Sequence, residues 1–105
     1  MMPAMVELIY DADCPNVGHA RENLARALTT LHLPAKWKEW ERSAVSSPIY
    51  AARHGSPTIL VAGKDVTDSS SAGDSCRIYS DDAGKVHRAP PVDHIVAALK
   101  TAATR

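Results

Sequence analysis

The chain has 105 residues, and its 12 lysines and arginines balance 12 aspartates and glutamates, for a formal net charge of zero with histidine neutral. That length suits one domain, residues 1–105, with a core of its own. Charge balance removes the drive for generic binding to nucleic acid or an anionic membrane, and no apolar run reaches the roughly 18 residues that span a bilayer.

The first residues lack the basic segment and long apolar stretch of a secretory signal, so the expected location is the cytoplasm. Thiols stay reduced there, and the two cysteines, Cys14 and Cys76, are expected to be reactive, metal-binding or inert rather than a structural bridge.

Residues 5–12 carry Val6, Leu8, Ile9 and Tyr10, a pattern that suits a strand buried on both faces. From Val17 to Leu31 the apolar positions Val17, Ala20, Leu24, Ala27, Leu28 and Leu31 follow the three-four spacing of one helix face, and Pro34 ends the element. Cys14 lies where strand pattern gives way to helix pattern, with Pro15 expected at the first helical position and Cys14 itself at the N-cap. A sulfur there faces unpaired N–H groups and the positive end of the helix dipole, both of which favour the thiolate. Asp11 and Asp13 oppose this as nearby carboxylates, and are expected to be solvated turn residues.

Residues 35–42 read as a strand with Trp37 and Trp40 on opposite faces. Residues 46–54 suit a short helix with Pro48 in its first turn, closed by Gly55. Residues 57–62 read as a further strand, and Gly63-Lys64 as a two-residue turn into 65–67, giving a hairpin. The serine-rich stretch 68–74 is expected to be a loop, 76–79 a short extended piece, 81–84 a turn, and 92–103 a helix with Val92, Ile95, Val96 and Leu99 inward. The order is β-α-β-α-β-β-α: a crossover unit that makes parallel neighbours and a hairpin that adds an antiparallel pair, hence an α/β domain with a four-stranded mixed sheet.

With that order, Cys14-Pro15 at a strand-to-helix turn and Gly55-Ser56-Pro57-Thr58 opening a later strand resemble the thioredoxin fold. In that fold an active cysteine caps the first long helix and a cis-proline before the third core strand lies beside it. More narrowly, Cys-Pro-Asn, Gly-Ser-Pro-Thr-Ile-Leu-Val-Ala-Gly-Lys-Asp-Val and Ser75-Cys76-Arg77-Ile78-Tyr79 look like a group of small bacterial thioredoxin-like proteins described as alkylmercury-lyase-like. The resemblance implies a cis Ser56-Pro57 bond that presents the Ser56 backbone to an extended substrate beside Cys14. A departure stands at Val17, which occupies the place of the second cysteine in Cys-x-x-Cys.

These readings make Cys14 and Cys76 the candidate catalytic residues and Pro15, Asn16, Ser56, Pro57 and Arg77 the candidate substrate-binding ones. A Gly63-Lys64 turn would return the chain toward Cys14, letting Cys76 approach it; pairing of 57–62 with 76–79 would place Cys76 at the opposite end. The histidines, His19, His32, His54, His87 and His94, show no zinc spacing with the cysteines, so no metal ligand set is assigned. His19, one turn into the helix, is expected at the surface. No glycine-rich phosphate loop, nucleophile elbow or stacking platform for nucleic acid is present, and no cofactor is expected.

The function expected is thiol-based redox chemistry: Cys14 attacks a disulfide, peroxide or similar electrophile, and Cys76 or an external thiol resolves the product. Its partner would be a small thiol or disulfide, or a protein thiol. The alternative is non-enzymatic binding of a soft metal such as Hg(II) or Cu(I), or a passive interaction module. Organomercurial cleavage, which the group's description suggests, ranks third.

Overall fold

Three of the four strands of the main sheet begin or end near one short turn, the one that carries Cys14. A computed structural model describes residues 5–67, 79–80, 86–87 and 89–103. Strand β1 (Val6–Tyr10) leads through that turn into helix α1 (Val17–Thr30), and strand β2 (Lys38–Glu41) returns parallel to β1, with Glu7 opposite Lys38 and Tyr10 opposite Glu41. Strand β3 (Thr58–Val61) lies antiparallel on the other side of β1, and β4 (Lys64–Asp65) antiparallel to β3, for a mixed sheet in the order β2-β1-β3-β4. A separate ribbon pairs β5 (Tyr79–Ser80) with β6 (Val86–His87), and helix α2 (Val92–Ala103) follows.

The four-stranded mixed sheet is as expected, but the element order departs from β-α-β-α-β-β-α in two places. Between β2 and β3 the chain makes a 3-10 turn, Ile49–Arg53, with Pro48 before it in extended geometry, rather than a helix over 46–54. The ribbon β5–β6 is additional.

Alternation along the strands divides the core. Val6 and Leu8 of β1 with Ile59 and Val61 of β3 face one side, where Ala20, Leu24, Ala27 and Leu28 of α1 and Ile95 and Leu99 of α2 cover them. Leu8, Leu24, Ile59 and Ile95 are wholly buried, and each contributes about 1.5–3 kcal/mol of transfer free energy. The helix faces are therefore those that the three-four spacing specifies. The two helices are also joined where α2 begins, the Asn23 amide donating to the Pro90 carbonyl at 3.0 Å. On the opposite side Ile9 and Leu60 pack with Ala51 of the 3-10 turn and with Trp40. Trp37 packs on the helix side, so the tryptophans do face opposite ways.

Local rules explain how two elements end. Helix α1 closes with His32 at φ 57°, its N–H bonded to the Thr29 carbonyl at 3.0 Å and that of Leu33 to the Leu28 carbonyl at 2.9 Å, the paired bonds of a Schellman cap. The β3–β4 turn is Ala62-Gly63, both at positive φ, 52° and 82°, and Lys64 already pairs with Val61. It thus starts one residue earlier than Gly63-Lys64. A turn with positive φ at both central residues has the twist that neighbouring strands require.

Candidate functional site

Asp11 follows the last residue of β1 and ties three segments together. Its carbonyl accepts the N–H of Cys14 at 3.0 Å, closing a four-residue turn. Its own N–H donates to Ser56 Oγ at 2.9 Å. Its carboxylate accepts Arg42 Nη1 at 3.2 Å on Oδ1 and 3.0 Å on Oδ2, in a pair whose side chains are 16% and 15% exposed. Arg42 is carried there because its N–H donates to the Tyr10 carbonyl at 2.7 Å, extending the β1–β2 ladder one step beyond the Tyr10–Glu41 pair. Asp11 is therefore no solvated turn residue, whereas Asp13 is exposed.

Register explains the arrangement. Ile9 pairs with Thr58, so continuing the antiparallel ladder sets Tyr10 against Pro57, which has no N–H to donate, and Asp11 against Ser56. The ladder stops at the proline. The Ser56 hydroxyl then accepts the Asp11 N–H, and the Ser56-Pro57 bond is cis, as the resemblance implied.

The structure corrects the position of Cys14. Asn16, not Cys14, is the N-cap of α1; its carbonyl accepts the first intrahelical bond, from the Ala20 N–H at 3.2 Å. The Asp11–Cys14 turn engages the Cys14 N–H, and Pro15 has none to offer, so helical bonding starts later. Cys14 is 8% exposed and packs into the core beneath the helices, although its neighbours Ala12, Asp13 and Pro15 are exposed. Asn16 is 7% exposed and Ser56 and Pro57 are fully buried. The Ser56 backbone edge, expected to be presented beside Cys14, is therefore covered in this structure. His19 is exposed, as expected. Cys76 and Arg77 lie outside the described residues, as do the expected loop 68–74 and turn 81–84. Pairing of 57–62 with 76–79 is overturned for the part that is described: β3 takes β4 as its partner, and Tyr79 pairs with His87.

Two polar clusters were not anticipated. Glu7, 3% exposed in the middle of β1, accepts Trp40 Nε1 at 2.7 Å and the Tyr50 hydroxyl, both on Oε2. Donation to Glu7, helped by burial and the carboxylate's charge, holds the Tyr50 phenol above its ordinary value of 10.0. Arg21 of α1 grips Glu39 of β2 through Nε at 3.0 Å and Nη2 at 2.8 Å, with its guanidinium 5.6 Å from the centre of the Tyr10 ring. That hydrogen-bonded pair lowers the Glu39 carboxyl and raises the Arg21 guanidinium relative to their ordinary values.

Sequence signals for these residues do exist. Asp11 and Arg42 each stand one residue past the end of a strand, and neighbouring parallel strands bring such ends together. A lone glutamate inside an apolar strand, with tryptophan and tyrosine downstream, is the corresponding sign for Glu7.

A groove of about 770 Å³ between the β3–β4 hairpin and α2, lined among others by Val61, Val66, His94, Ala98 and Thr101, lies at the hairpin end of β3, away from Cys14. Among the described residues no group of three or more histidine, cysteine, aspartate or glutamate side chains is placed to hold a metal ion, and no helix is long and apolar enough to cross a membrane. Compared with protein-family models, with curated proteins and with solved structures, the chain matches none.

Proposed function

We propose that this chain is a thioredoxin-like thiol protein in which Cys14 attacks a disulfide, peroxide or similar electrophile. The observation that carries the reading is the junction at Asp11, which holds the Cys14 turn, the end of β2 and the entry to β3 through one backbone and one side-chain network. A thiol that is only core filler needs no such anchoring; a nucleophile does, because its rate depends on a fixed approach geometry. The thioredoxin-like assignment is supported by the parallel β1–α1–β2 unit, the antiparallel β3–β4 hairpin and a cis-proline that opens β3 beside the cysteine turn. The 3-10 turn in place of a second helix is a departure from it. Attack on a disulfide yields a mixed disulfide and releases a thiol; attack on a peroxide yields a sulfenic acid and releases an alcohol or water. Cys76 or an external thiol then resolves either product.

The test uses the full chain with Cys76→Ser, leaving Cys14 as the single thiol. Its native form is exposed separately to iodoacetamide, glutathione disulfide and hydrogen peroxide, and adducts are followed by mass spectrometry. The proposal expects Cys14 to react at rates that do not change with low urea, because reaction occurs in the folded state. Reaction only at the rate of global unfolding would mark Cys14 as inert core.

A further inference from the structure

We draw no further inference here: the strongest candidate, the groove between the β3–β4 hairpin and α2 lined by Val61, Val66 and Ala98, is an apolar face, and nothing in the structure shows what covers it.

Discussion

Removal of the Asp11 charge is the sharpest test of how the site is held. The Asp11–Arg42 side chains are 16% and 15% exposed, between the fully buried pairs whose disruption costs about 3–5 kcal/mol and the exposed pairs worth about 0–1 kcal/mol. Arg42 Nη1 reaches both carboxylate oxygens, at 3.2 and 3.0 Å, so Asp11→Asn leaves a cation in a half-desolvated position facing a neutral amide. The expected loss is about 2 kcal/mol, and Arg42→Met should lose a similar amount by stranding the carboxylate. The double variant removes both charges and should cost less than the sum, with a coupling energy of about 1.5–2.5 kcal/mol in a double-mutant cycle. With a urea slope of roughly 1.5 kcal/mol per molar, each single variant lowers the unfolding midpoint by about 1.3 M. Partly buried charges are only weakly screened, so most of the coupling should survive about 1 M salt. Because the Asp11 carbonyl also anchors the Cys14 N–H, the single variants should label faster at Cys14 under native conditions. A coupling below about 0.5 kcal/mol, or one abolished by salt, would show a surface pair of no structural consequence and refute the reasoning.

Two further outcomes are expected. Ala62 sits at φ 52°, where an alanine costs about 1 kcal/mol, so Ala62→Asn, giving Asn-Gly at a hairpin turn, should raise stability by roughly 0.5–1 kcal/mol; a lower melting temperature would contradict the turn geometry. Tyr50 is held above its ordinary 10.0 by donating to Glu7, so its contribution is fully present below the unfolded phenol value and is lost as pH rises through the higher folded value. Absorbance titration of the folded chain should show one phenol titrating late. Tyr50→Phe should remove that step and the associated alkaline loss of stability, while Glu7→Gln should bring the step back toward 10.0.

Much of this fold is written locally. The spacing of Val17, Ala20, Leu24, Ala27 and Leu28 specifies the buried face of α1, and Ile95 and Leu99 do the same for α2, which spans the expected Val92–Ala103. Both follow from a period of 3.6 that needs no partner to be read. The hairpin after residue 57 is local too, since glycine, proline and the apolar run mark it, although its turn falls one residue earlier because the pairing of Val61 with Lys64 sets the register. What lies between elements was decided by tertiary structure. Whether 46–54 closes as an α-helix or a 3-10 turn depends on how Ala51 and Tyr50 meet Ile9, Leu60 and Glu7 across the sheet, and no local pattern carries that. Cys14 was legible as a thiol at a strand-to-helix turn, but its depth was not. Its burial goes with the Asp11 turn, which bonds the Cys14 N–H before the helix starts at Val17. The salt bridge that holds this turn joins residues 31 apart in sequence, brought together only because parallel strands end side by side. Periodicity records which face of an element is apolar; which polar groups meet at the ends of elements is a property of their packing.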